Sequence, residues 1–116
     1  MFGKSQIGTF TLSLSDYDRV SRVRFEYVYQ VQVTDAGSPL QGLTLTGTSN
    51  STATQVITGT LACGDVPAGG ETACNDPFII QHDRRFPFDA AALTFEACAT
   101  IQGTLACAPV VPNFPP

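Results

Sequence analysis

Between Arg22 and Val33 the chain reads RVRFEYVYQVQV, and apolar residues fall on every second position: Val23, Phe25, Tyr27, Tyr29, Val31 and Val33. Arg22, Arg24, Glu26, Gln30 and Gln32 lie between them, and only Val28 interrupts the polar set. Side chains alternate between the two faces of a strand, so this period of two predicts one β-strand with an apolar face and a solvated face. The run is long for a strand. It is rich in β-branched and aromatic residues, which suit a pleated, half-buried surface. It is expected to be the central strand of a β-sandwich.

Shorter signals of the same kind run along the rest of the chain. Thr9–Ser15 alternates, with Phe10, Leu12 and Leu14 on one face, and predicts a first strand followed by a turn at Asp16–Arg19. Thr34–Gln41 contains Gly37-Ser38-Pro39 and reads as a loop. Leu43 and Leu45 mark one face of a third strand, Thr44 and Thr46 the other, and Gly47–Thr52 is a polar loop. Thr54–Ala62 reads as one strand with a bulge at Gly59. Cys63–Cys74 (CGDVPAGGETAC) reads as a hairpin reversing at Pro67–Gly70. Phe78–Gln81 is a short strand, His82–Asp89 a loop, and Ala91–Ile101 a strand that Gln102-Gly103 turns into a return strand at Thr104–Ala108.

Residues 1–8 form an N-terminal extension and residues 9–108 the domain. The tail 109–116 (PVVPNFPP) carries four prolines and is a linker or an edge segment, because proline lacks the N–H that a sheet needs. About seven short antiparallel strands, frequent turns and no helix-period segment predict an all-β, Ig-like β-sandwich. The similar runs ITGTLAC (57–63) and IQGTLAC (101–107) are two like strand ends, too short for a duplicated domain.

At 116 residues the chain forms one domain with a core of its own. Its net charge is −4, and Arg22/Arg24 and Arg84/Arg85 stand as two separate pairs, so no basic patch and no nucleic-acid partner are expected. No apolar run approaches the roughly 18–20 residues that span a bilayer, so no membrane insertion is expected. The N-terminus, MFGKSQIGTF, lacks the apolar core of a signal peptide. With the cysteines, this favours a piece of a longer secreted protein with Met1 as an added start.

The four cysteines are the strongest chemical signal. Three pairings are open, and strand register favours one. If Gln102-Gly103 is a two-residue hairpin loop, counting back from Ile101/Thr104 places Cys98 opposite Cys107 in a non-hydrogen-bonded pair. Such pairs have Cα atoms about 4.5 Å apart, within reach of a disulfide. Cys63–Cys74 would then close the other hairpin. Zinc would call for tighter CxxC-type spacing, so no metal is expected. Disulfides imply an oxidising compartment.

His82, the only histidine, is followed by Asp83-Arg84-Arg85-Phe86-Pro87-Phe88-Asp89. Read functionally, His82, Arg84, Arg85, Phe86 and Phe88 form an exposed binding loop of residue types favoured at hot spots. Read structurally, the segment crosses between sheets, with Phe86 or Phe88 plugging the core and an arginine paired to Asp83 or Asp89. One histidine without a nucleophile motif predicts no catalytic residue and no enzyme. Asp16-Tyr17-Asp18 supplies few of the six to eight oxygens that calcium takes, and reads as a solvated turn. Lys4 is the only lysine, and a self-formed amide with a late asparagine such as Asn113 would require it inside the core. Asn50-Ser51-Thr52 matches a glycosylation acceptor but reads as loop composition.

Four stretches in order are YVYQVQVTDAGSPLQGLTLTG (27–47), LACGDVPAGGETAC (61–74), PFIIQHD (77–83) and FDAAALTFEACATI (88–101). Together, over about residues 20–101, they resemble the Ig-like "conserved repeat" modules of bacterial cell-surface proteins. The return strand carrying Cys107 and the bulky HDRRFPFD loop depart from that pattern. The resemblance implies an extracellular, cell-surface structural module of an adhesin or filament, without enzymatic activity or cofactor. Its expected partners are neighbouring modules of the same protein or filament. The alternative is a module that binds an extracellular ligand, carbohydrate or host protein, through the 82–89 loop.

Overall fold

A computed structural model describes residues 7–35 and 37–114. Its elements are β1 (Thr9–Arg19), β2 (Arg24–Thr34), β3 (Leu40–Ser49), β4 (Thr54–Thr58), β5 (Thr60–Val66), β6 (Glu71–Ala73), β7 (Phe78–Asp83), a 3-10 turn (Ala90–Ala92), β8 (Leu93–Ile101) and β9 (Thr104–Val110). They form two antiparallel sheets packed face to face, a β-sandwich. One sheet runs β1-β2-β7-β4, with β6 also on β2; the other runs β5-β3-β8-β9.

The alternating strand is central, as its pattern predicts. β2 pairs β1 along one edge and both β7 and β6 along the other. Its Val31 and Val33 are fully buried, and they face the core with Phe10, Leu12, Phe78 and Ile80. Leu43, Leu45, Leu61, Phe95, Ala97 and Ala99 close the core from the opposite sheet. Each large side chain buried here contributes roughly 1.5–3 kcal/mol of transfer free energy.

β3 runs from Leu40 to Ser49, into both of the loops expected beside it, and four further differences shape the fold. First, β1 continues through Asp16–Arg19. A bulge between Leu14 and Asp16 lets the strand keep pairing, and the reversal moves to Val20–Val23. Bulges twist a strand without ending it. Asp16 and Asp18 therefore lie on a strand, not in a turn.

Second, Thr54–Ala62 is two strands in different sheets. Gly59 is the corner at which the chain leaves β4 for β5. There its carbonyl accepts the Gly47 N–H at 2.7 Å. A Cβ on Gly59 would stand 2.6 Å from the Gly47 carbonyl oxygen, so this close approach requires glycine at position 59. This split, with β6, raises the strand count from about seven to nine.

Third, Cys63–Cys74 is not a hairpin. β5 and β6 belong to opposite sheets, so this disulfide ties the sheets together. Cys98–Cys107 is a cross-strand pair of β8 and β9 with Cα atoms 4.1 Å apart. Gln102 and Gly103 both take positive φ, the conformation of a two-residue hairpin loop that matches strand twist. No free cysteine remains.

Fourth, the ends are integrated. Ile7, expected in the extension, is 2% exposed. Pro109 and Val110 belong to β9, and the chain then crosses to the free edge of β1. The Leu12 N–H donates to the Asn113 carbonyl at 2.8 Å, and the Asn113 N–H to the Phe10 carbonyl at 2.9 Å. Phe114 packs edge-on against Tyr29 at 5.5 Å and lies 6.3 Å from Phe95. The tail thus blunts the edge that would otherwise accept a foreign strand there. Lys4 lies outside the described residues.

Substituting Gly47→Ala is expected to destabilise the fold by about 1–3 kcal/mol, the usual range for overpacking. Its Cβ would stand 2.7 Å from the rings of both Phe78 and Phe95. Replacing both Cys98 and Cys107 by serine is expected to remove about 2–3 kcal/mol through the regained freedom of a short loop. Urea midpoints at fixed pH measure both.

Candidate functional site

The β2–β7 register pairs Arg24 with Asp83 and Phe25 with His82. This alignment brings the β1–β2 turn beside the connection leaving β7. The Arg84 N–H then donates to the Val23 carbonyl at 2.8 Å, extending the pairing by one residue. All five arginines of the chain, at positions 19, 22, 24, 84 and 85, consequently gather at one end of the sandwich. The two arginine pairs that stand apart in the sequence thus meet at one end, together with Asp16, Asp18, Glu26 and Asp83.

Arg19 shapes the turn. Its Nε donates to the Ser21 carbonyl at 3.1 Å and its Nη2 to the Arg22 carbonyl at 3.3 Å. The Ser21 hydroxyl accepts the Arg24 N–H at 3.2 Å. The Arg84 guanidinium lies 4.7 Å from the centroid of the Phe25 ring, a cation–π contact. Arg19, Arg22, Arg84 and Arg85, with Val23 and Phe25, line a shallow groove of about 420 Å³. Arg24 points elsewhere, into a second depression lined by Thr48, Ser49, Ser51 and Thr54.

Asp83 is the local counter-charge. Its Oδ2 accepts Arg85 Nη2 at 2.6 Å, and its Oδ1 accepts the Arg85 N–H and Nε, each at 3.0 Å. These hydrogen bonds, led by the guanidinium, hold the Asp83 carboxyl down at about 2, and the same bonds raise Arg85. This is the only ion pair among the described residues. Arg19, Arg22, Arg24 and Arg84 are unpaired by carboxylates there. Asp18 and Glu26 oppose each other across β1 and β2, one residue out of step with Arg19 and Phe25. Strand alternation therefore puts them on the face away from the groove.

The expected binding loop divides in two. His82 and Asp83 are the last residues of β7 and are buried, so the loop begins at Arg84. His82 is 3% exposed. Its Nε2 lies 2.8 Å from the Phe86 carbonyl, which can only accept, so Nε2 carries the hydrogen. Nδ1 lies 2.7 Å from the Thr54 hydroxyl. Both ring nitrogens are engaged in holding the crossing segment, and His82 reaches no solvent-facing ligand.

Arg84, Arg85, Phe86 and Phe88 are exposed. Phe86, 53% exposed, and Tyr17, 62% exposed, are the large aromatic surfaces of this region. Phe88, less exposed than Phe86, packs edge-on against His82 at 5.5 Å and against Phe114 at 6.3 Å. Arg19 and Phe25 were not anticipated in the site. Three arginines within Arg19–Arg24 were the available signal, hidden because Phe25 reads as an ordinary core position.

Chemically the groove offers guanidinium donors, whose planar forks match bidentate carboxylates, sulfates or phosphates. It holds no nucleophile. Among the described residues, no three of histidine, cysteine, aspartate and glutamate come together in a metal-binding group. Comparisons with protein-family models, with curated proteins and with solved structures find no match.

Acidification tests the Asp83 pair. An unfolded carboxyl protonates near 3.8, whereas the native one resists to about 2. The unfolded state binds its proton first, so the pair's contribution is complete above about pH 4 and is lost as pH falls toward 2. Urea midpoints across this range are expected to drop less steeply for Asp83→Asn, from a lower starting stability, than for the wild-type chain.

Proposed function

We propose that the chain is an extracellular structural module of a surface protein, adhesin or filament, of the bacterial Ig-like repeat kind. The observation that carries this reading is the pair of disulfides, Cys63–Cys74 between sheets and Cys98–Cys107 within one. Two disulfides belong to an oxidising environment. They stiffen a sandwich whose tail already folds back on its first strand. The order of strand, turn and cysteine motifs supplies the resemblance to surface repeats.

A second reading is ligand binding through the arginine end. The convergence of five arginines with exposed Phe86 and Tyr17 supports it. In that case the loop residues Arg84, Arg85 and Phe86 contact an acidic glycan or host protein.

Antibody against the folded module, applied to intact source cells, tests the first reading. Surface labelling is expected, and non-reducing peptide maps of the shaved protein are expected to show both disulfides. Four alkylated thiols in protein from the cytosolic fraction would overturn it. For the second reading, glycan and matrix-protein arrays are probed with the wild-type chain and with Arg84→Ala/Phe86→Ala. Micromolar binding lost in the variant would select ligand binding over a purely structural role.

A further inference from the structure

Among the described residues the arginines are confined to one end, where Asp16, Asp18, Glu26 and Asp83 also stand, whereas the other end carries carboxylates without a cation. β1 and β2 each hold 11 residues, which span about 36 Å, within a longest dimension of 48 Å. The arginines occupy the end where β2 begins. Where β2 finishes, Asp35, Asp65 and Glu71 gather: Asp35 N–H donates to the Gly70 carbonyl, Thr34 pairs with Glu71, and Leu40 pairs with Val66, the neighbour of Asp65. Among the described residues, no arginine or lysine stands at that end, because all five arginines are at the other.

The acidic end also has a shape. Between Asp65 and Glu71 the chain makes a tight turn, Pro67–Gly70, closed by the Gly70 N–H on the Pro67 carbonyl at 2.9 Å. Gly69 takes φ +70°, the left-handed conformation such a turn calls for at its third residue. Pro67, Ala68 and Gly69 are exposed, as are the flanking Asp65 and Glu71. The result is a small convex knob with a carboxylate on either side. Nearby, Asp35 Oδ2 is buried without a hydrogen-bond partner among the described residues.

We infer that the arginine groove of one copy receives the carboxylate-flanked turn of a second copy, so that modules dock head to tail. This rests on the structural-module reading and supplies its mode of contact. Charge complementarity selects the orientation: the carboxylates of one end meet the arginine-lined groove of the other, whereas two acidic ends repel. The contact joins different surfaces of the two copies, so it leaves one free groove and one free knob and is open to repetition. Arg22 and Arg84, unpaired by carboxylates among the described residues, form the charge-assisted bonds to Asp65 and Glu71. The contact is weak. An end face of 28 × 23 Å is smaller than the roughly 800 Å² per partner of a stable interface. Tethering in tandem, which raises local concentration to the millimolar range, is the setting in which it operates.

Sedimentation velocity and concentration-dependent amide shifts of the intact, disulfide-bonded chain, from about 10 mM to about 500 mM salt, test this. Docking predicts association that strengthens at low salt, with shifts near Arg22, Arg84, Asp65 and Glu71 rising together. Arg22→Glu/Arg84→Glu and Asp65→Lys/Glu71→Lys are each expected to abolish it, and an equimolar mixture of the two variants to restore it. Unchanged melting temperatures establish that the variants fold. Glu71→Lys alone, which keeps the Asp65 bond to the Gly42 N–H, is expected to weaken association about tenfold. Association indifferent to salt and to both variants, or shifts confined to one end, would overturn the proposal. So would a folded monomer at every salt concentration, which leaves the structural-module reading standing. Capture of heparin or an acidic glycan by the arginine end without self-association overturns both.

Discussion

Backbone hydrogen bonding along both edges of β2 is the constraint on which the rest of this structure depends. One strand templates β1 on one side and β7 and β6 on the other, and its register decides what stands beside what. Because side chains alternate with a period of two, a slip of one residue would turn the buried valines outward. Val31 and Val33 hold the register by being fully buried. That same register sets Arg24 against Asp83 and carries the first three arginines to the last two. Core packing and charge placement are therefore two readings of one alignment.

The second sheet is joined to the first by three devices. Gly59 turns the chain from β4 into β5 at a point where a side chain would meet the Gly47 carbonyl. The Cys63–Cys74 disulfide ties β5 to the residue after β6. The tail after β9 crosses from the second sheet to the free edge of β1, where Phe114 inserts among Tyr29, Phe88 and Phe95. Burial raises the Tyr29 phenol above its ordinary value, and Tyr27 adds to the rise. A covalent bridge, a backbone corner and an aromatic plug act at different places, so the sheets resist sliding in more than one direction.

An acidic chain that concentrates its arginines at one end has a polarity that net charge conceals. The strands run antiparallel along the sandwich, so the end of β1, the start of β2 and the end of β7 share one pole, and the arginines lie at those three places. Asp83 neutralises Arg85 and draws the β7–β8 connection into a fixed shape, leaving Arg22 and Arg84 outward. The histidine between sheets anchors that connection through Phe86 and Thr54. Structural and recognition roles are thus carried by adjacent residues of one segment: buried His82 and Asp83 position it, and exposed arginines present charge.

Much of this was legible in the sequence. Alternation at Phe10–Leu12, Val23–Val33 and Leu93–Ile101 marked strands and their inward faces, because a pleated strand writes its burial into every second residue, whereas Leu14, expected on the inward face, is exposed beside the β1 bulge. The Gln102-Gly103 turn determined the Cys98–Cys107 register, since a two-residue loop leaves no freedom in the count. Tertiary structure alone decided which sheet each strand joined. Thr54–Ala62 looks like one strand because local pattern cannot tell a bulge from a corner, and only the approach of Gly47 makes Gly59 a corner. It alone made Cys63–Cys74 a bond between sheets. It alone brought Arg19–Arg24 to Arg84–Arg85, a meeting of residues some sixty positions apart that depends on strand pairing and leaves no local trace in the chain.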